Sequence, residues 1–224
     1  MSAANAETPP VAAKRAPGRP DSGQLPGAGH RERLLDAMAA SIREHGYRGT
    51  TVADVVRRAR TSRRTFYQHF DDREAIFLAL FDESNRFLGE RIAEALDPEA
   101  PWEEQVEQTV GVYMDEVAAE PELALAFTRE VTALGEVGMA RQRREIETFA
   151  DLLIALVAVV AEHNPKVAPM QKATAIMITG GLRELSAYAV ENDQPLASMK
   201  AQATGLIKSV LDPDHRGWAD PADA

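Results

Sequence analysis

Apolar residues recur three and four positions apart through most of the sequence, and no stretch alternates apolar with polar residues as a half-buried strand would. The pattern predicts an all-α protein. Its first distinctive elements are two short helices. Thr51 is placed to cap a helix whose apolar positions Val52, Val55, Val56 and Ala59 follow helical spacing, and Ser62 to cap a second one starting at Arg63. In the second helix Phe66 and Phe70 share a face that must point into a core. At about 100° per residue, Arg64 and Gln68 lie nearly opposite that face, with Thr65 and Tyr67 on its flanks.

Longer helices follow. One runs from Asp72 to Leu96, ahead of Pro98, with Ile76, Leu80, Phe87, Leu88 and Ile92 facing inward. Pro101 sits where a first turn tolerates it and opens the next helix, which carries Val106, Val110, Tyr113 and Val117. Further helices are expected over Pro121 to Leu134, Met139 to His163, Pro169 to Asn192 and Pro195 to Leu211. The longest apolar run, Leu152 to Ala161 between Asp151 and Glu162, is about half the ~20 residues that a membrane span needs, so it reads as a buried helix with no membrane partner. Residues 213–224, rich in Asp, Pro and Ala, read as a flexible tail.

Charge changes this picture by dividing the chain. The net charge is −10, yet residues 1–70 hold 12 Lys and Arg against 6 Asp and Glu, whereas residues 71–224 hold 13 against 29. A basic head on an acidic body points to a polyanionic partner for the head. Residues 1–29 are rich in Pro, Gly and Ala and have almost nothing to bury, which predicts a disordered basic arm. Within it Gly18-Arg19-Pro20 is part of an AT-hook-like core, whose slim backbone lets Arg19 enter a narrow minor groove. The arm has no apolar segment like that of a signal peptide, which gives a cytoplasmic expectation. The absence of cysteine excludes disulfides, thiolate metal sites and Cys nucleophiles. His30, His45, His69, His163 and His215 are scattered without ligand spacing, so no metal, cofactor or enzymatic activity is expected.

The placement of caps, inner phenylalanines and outer polar residues between 51 and 70 is that of a helix-turn-helix, whose second helix enters the major groove of double-stranded DNA. The stretch from about Arg31 to Leu80 resembles the DNA-binding domain of the TetR family of transcriptional regulators. The resemblance lies in a first helix ending near Gly46-Tyr47, in Thr50-Thr51-Val52, in Ser62 opening the recognition helix, in Thr65-Phe66-Tyr67 and His69-Phe70, and in Arg73 near the start of the long helix. Arg64 and Gln68 are expected on base edges; Arg19, Thr51, Arg63, Thr65, Tyr67, His69 and Arg73 complete the expected DNA contacts. Arg58, Arg60 and Thr61 depart from the family pattern, which has Ala, Gly and a small apolar residue there. If position 60 requires a left-handed backbone, Arg costs about 1 kcal/mol or more relative to Gly.

The same resemblance implies about nine helices: an N-terminal three-helix head over residues 30–75 and a larger helical body, 76–212, for effector binding and dimerisation. Family members bind a small, often apolar effector inside the body. Trp102, Tyr113, Met114, Phe127, Phe149 and Met177 are the candidate walls here, and Thr109, Thr132, Thr148, Thr174, Arg183 and Glu184 could supply a polar handle. In the family the last two helices of each subunit pair into a homodimer. Gly180-Gly181 lies mid-helix at a cost of about 1 kcal/mol per glycine, which close helix approach would offset, and Leu185, Leu206, Ile207 and Val210 fill out the expected interface. The functional expectation is a repressor released from a palindromic operator by a hydrophobic small molecule. The alternative is an architectural DNA-binding protein that answers to no effector.

Overall fold

The computed structural model describes residues 29–163, 167 and 169–212. Arg19, the remainder of the N-terminal arm and the tail 213–224 lie outside the described residues. Among those described there are nine helices and no strand: α1 (His30–Gly49), α2 (Val52–Arg58), α3 (Arg63–Tyr67), α4 (Arg73–Ala95), α5 (Trp102–Ala119), α6 (Pro121–Ala133), α7 (Gly135–His163), α8 (Lys172–Glu191) and α9 (Leu196–Leu211).

Local chemistry sets most of the boundaries. α1 is broken at Gly46, whose φ of 69° is left-handed and open to glycine at little cost. Thr51 caps α2, its hydroxyl accepting from the Asp54 N–H at 3.2 Å. Asp72 caps α4, its carboxylate accepting from the Ala75 N–H at 2.7 Å. Pro121 occupies the first turn of α6. Two boundaries differ from the sequence reading. α7 starts at Gly135, four residues before Met139, because Gly135 turns the chain at φ 72° and Gly138 packs so closely on the Val131 carbonyl that no Cβ would fit. α8 starts at Lys172, three residues past Pro169.

Two apolar clusters hold the helices. The first joins Leu34, Met38 and Ile42 of α1, Val55 of α2, Phe66 of α3 and Ile76, Phe77 and Leu80 of α4, and then continues into α6 through Leu123, Ala126 and Val131. The three-helix head is therefore not packed separately: its core runs on into the fourth and sixth helices. Two ion pairs reinforce the seam. The Arg43 guanidinium donates to both carboxylate oxygens of Glu120, at 2.5 and 2.8 Å, and Arg48 Nε donates to Glu130 at 3.0 Å. The second cluster holds α5 to α9 through Val110, Met114, Ala203 and Ile207, with Leu182 and Leu185 of α8 packed on its edge.

Candidate nucleic-acid interface and internal cavity

The α2–α3 segment forms the expected hairpin. Its turn closes with the Thr61 N–H donating to the Val56 carbonyl at 3.1 Å and the Arg60 N–H to the Arg57 carbonyl at 3.2 Å, the paired bonds of a Schellman ending. That ending needs a left-handed residue, and Arg60 supplies it at φ 50°. The strain foreseen for a non-glycine residue at position 60 is thus present. Ser62 then caps α3, its hydroxyl accepting from the Thr65 N–H at 3.0 Å.

Phe66 is fully buried and Phe70 nearly so, which fixes the rotation of α3 and leaves Arg63, Arg64, Tyr67 and Gln68 exposed. Tyr67 keeps 56 % of its surface in solvent while its ring edge rests on Phe66, 5.3 Å between centroids. Among the described residues neither Arg63 nor Arg64 takes part in an ion pair, whereas Arg57 and Arg58 are held by Asp54 and Glu44. His69 is exposed beside the roughly parallel ring of His30, 6.5 Å away.

Three of the expected DNA contacts are engaged within the head. Thr65 bonds the Ser62 hydroxyl at 2.9 Å, and the Thr51 hydroxyl donates to Asp54 at 2.6 Å. That bond and the Arg57 guanidinium hold the Asp54 carboxyl down at about 2. Arg73 is half-buried: its guanidinium lies 4.5 Å over the Tyr47 ring and donates to the Thr50 carbonyl at 3.2 Å. Tyr47 stacks in turn on Phe77 at 4.1 Å. Arg73 thus clasps the start of α4 to the α1–α2 turn.

The body contains a cavity of ≈ 180 Å³ bounded by α1, α4, α5, α6, α7 and α8. Phe81, Phe87, Leu88, Val117 and Phe127 form most of its apolar wall, and Asp36, Ala39 and Arg43 of α1 reach it from the head. A smaller void of ≈ 60 Å³ lies between α5, α7, α8 and α9.

The six aromatic and methionine positions selected from the sequence divide. Tyr113 and Phe127 line the larger cavity and Trp102 the smaller one. Met114 is packed in the second core, Phe149 is half-buried and borders neither void, and Met177 is 64 % exposed on α8. Helical spacing alone cannot tell a wall from plain core or from an outward stripe. Of the polar positions, Arg183 lines the larger cavity and Thr109 the smaller, Thr132 and Thr148 are exposed, Thr174 is half-buried, and Glu184 is bound by Arg129 at 2.7 Å.

Asn85 and Glu145 were missed, and both line the larger cavity. Each carried a signal. Asn85 interrupts the inward stripe Phe81, Leu88, Ile92 of α4, and Glu145 sits between Gln142 and Phe149 on the inward side of α7. Burial pushes the Glu145 carboxyl up to about 7, against the opposing pull of the Arg183 charge, and pushes the Tyr113 hydroxyl up to about 12.

On the expected pairing face, Gly181 and Leu206 are exposed, Leu206 by 65 %, beside Met177 and Tyr188. Nothing among the described residues approaches a Cβ built at Gly180 or Gly181 within 4 Å, so packing among them demands neither glycine. Val210 is half-buried. Ile207, by contrast, is 7 % exposed and belongs to the subunit's own core, and Leu185 packs against that core.

An exposed, unpaired arginine face on the second helix of a helix-turn-helix defines a DNA-binding protein, and among the described residues no helix is long and apolar enough to cross a membrane. Comparison with known proteins narrows the class. Residues 34–80, which run from α1 into α4, match the model of the bacterial regulatory proteins, tetR family. It is 36 % identical over 64 residues to the HTH-type transcriptional repressor AcnR of Corynebacterium diphtheriae, a match covering 29 % of this chain and 34 % of that protein. It is 23 % identical over 114 residues to the HTH-type transcriptional regulator YhgD of Bacillus subtilis, 51 % of this chain and 59 % of the other. The chain thus spans about a third of the length of the AcnR relatives it matches. The fold extends further than the sequence likeness. The fatty acid degradation regulator FadR of Bacillus halodurans superposes with a TM-score of 0.69 at 21 % identity, over 82 % of this chain and 96 % of that one. The Bacillus subtilis FadR, solved in complex with stearoyl-CoA, gives 0.68 at 19 % identity, over 81 % and 97 %.

Proposed function

We propose that the protein is a cytoplasmic, homodimeric transcriptional repressor that occupies a palindromic operator through α3 and leaves it when a small, largely apolar molecule enters the ≈ 180 Å³ cavity. The observation that carries this reading is the α3 surface: Phe66 is wholly buried while Arg63, Arg64 and Gln68 stand exposed at the helix that a two-fold dimer would lay in successive major grooves. Arg64 and Gln68 read base edges. Arg63, Tyr67 and His69 position the phosphates, and Thr51, Thr65 and Arg73 keep the head in shape.

The cavity supports effector control because α1 of the head forms part of its wall. A ligand that favours the released arrangement must bind it better by the coupling energy, about 1–3 kcal/mol. The FadR neighbour solved with an acyl-CoA favours a ligand with an apolar portion. Selection of binding sites from random DNA tests the core of the proposal. The purified protein should recover a palindrome, and Arg64→Ala should lose discrimination at one position of each half-site by about 1–3 kcal/mol. A protein that enriches no sequence would be an architectural DNA binder.

A further inference from the structure

We propose that the larger cavity binds a small carboxylic acid with a ring-sized apolar body, its carboxylate accepting hydrogen bonds from Arg183 and Asn85 while Glu145 shares a proton with it. This deepens the effector reading above and rests on it.

Among the described residues, three buried polar atoms without a hydrogen-bond partner belong to residues of this one cavity: Nδ2 of Asn85, Oε2 of Glu145 and Nε of Arg183. They come from α4, α7 and α8. Buried polar atoms are almost always paired, and three unpaired ones on converging helices that bound one void stand within a side-chain rotation of polar atoms brought in from outside the chain. The Gln142 side chain of α7 lies against the other Arg183 nitrogens, where its amide oxygen accepts from them once the amide is turned to satisfy both groups. The other charged walls are occupied: Glu116 is paired with Arg91 and Glu120 with Arg43.

Charge balance decides the sign of the ligand. Arg183 cannot give up its proton, whereas Glu145, pushed up to about 7 by burial, readily takes one. An entering carboxylate therefore leaves Arg183 positive, the ligand negative and Glu145 neutral, which is balanced. An entering ammonium group would leave two cations against one carboxylate in a poorly solvated space. The groups facing Glu145 agree with this: Arg183 from α8, Tyr113 from α5, whose hydroxyl stays protonated and hydrogen-bonds Ser186, and Asp82 of α4, which is tied to Arg141 and adds to the upward push on Glu145. Size suits a ring-sized body. A cavity of ≈ 180 Å³ is close to the ~150 Å³ apolar void known to admit benzene, and Phe81 and Phe127 meet edge to face at 5.4 Å in its wall.

Calorimetry on the full-length protein with benzoate, benzylammonium and benzyl alcohol, at pH 6 and pH 8, tests the proposal. Benzoate should bind at least about tenfold more tightly than the other two, and should weaken severalfold at the higher pH as Glu145 holds its proton less readily. Arg183→Gln should weaken benzoate by about tenfold or more. Should that variant fail to fold, Asn85→Ala removes a donor from the same site without touching a charge. Glu145→Gln should bind benzoate with the pH dependence gone. Preference for benzylammonium or benzyl alcohol, no benzoate binding, or benzoate binding indifferent to both Arg183 and Asn85 would overturn the inference. An operator retardation assay beside it separates the two claims. Benzoate binding without operator release overturns effector control and leaves the carboxylate site, whereas release by a ligand that lacks an acid group, with benzoate inert, does the reverse.

Discussion

Leu206 and Ile207 are neighbours on α9 with opposite surroundings, and substituting each one separates a subunit's own stability from its pairing with a second copy. Ile207 is 7 % exposed and clusters with Val110, Met114 and Ala203. Ile207→Ala opens a hole within one subunit and should cost about 2–4 kcal/mol of folding free energy. In a chain of this length that lowers Tm by roughly 5–15 °C. Leu206 is 65 % exposed, so a two-fold contact that covered it would bury about two-thirds of a leucine side chain on each copy. Complete burial of leucine is worth about 1.5–3 kcal/mol, which gives roughly 1–2 kcal/mol per copy and about 2–4 kcal/mol per dimer. Leu206→Glu forfeits that and adds two poorly solvated carboxylates, so the dimer dissociation constant should rise by a factor of about 30 to 1,000. Sedimentation velocity over a dilution series reads the assembly, and urea unfolding reads the fold. Leu206→Glu should give a folded monomer, and Ile207→Ala a less stable protein of unchanged assembly below its transition. A Leu206→Glu dimer as tight as the unsubstituted one would refute the pairing face.

Other substitutions probe other parts of the chain. Arg60→Gly removes a side chain from a left-handed position and should stabilise the fold by about 0.5–1 kcal/mol, while the lost cation reduces the salt slope of DNA binding by roughly one unit; an unchanged or lower melting temperature would deny the strain. Glu145→Gln should alter how stability depends on pH. A carboxyl whose folded pKa is raised from 4.5 to about 7 gives stability that is full below the unfolded value and lost as pH rises through the folded one. The variant should therefore gain on the parent between about pH 5 and 8, approaching 2–3 kcal/mol, and parallel stability curves over that range would contradict it. Deleting residues 1–28, which include Lys14, Arg15 and Arg19, should leave the melting temperature unchanged and lower the salt slope of DNA binding by roughly one to three units; an equal slope would make the arm a passive leader.

The sequence exposed those features that follow from caps, prolines and periodicity. Ser62, Phe66 and Phe70 were enough to rotate α3 correctly, because a helix this short has only one apolar face to bury. The strain at Arg60 was also legible, since a Schellman ending asks for a left-handed residue whatever the side chain. What periodicity could not supply was the difference between filled and unfilled interior. Tyr113 and Met114 are adjacent on α5, yet one faces the cavity and the other closes the second core. Ile207 and Leu206 posed the same problem at the surface, where a stripe wide enough for two contacts gives its inner half to the subunit itself. Arg73 illustrates a third limit: the ring beneath it and the carbonyl ahead of it, which give it a place in the fold, carried no signal in the spacing that marked it as a DNA contact.

The apolar cluster that runs from α1 through α4 into α6 makes the recognition unit and that body helix a single cooperative block. Amide protons at the centres of α1 and α6 should then exchange together, with one opening free energy, while those of α9 follow a different one. Modularity in this protein is accordingly cut along a different line from the order of the chain. A chimera that carried residues 30–75 onto another body would leave Phe77, Leu80 and Phe81 behind and bring the new head no substitute for Leu123, Ala126 and Val131. The portable reading unit comprises α1 to α4 together with α6, even though α5 lies between them in the chain.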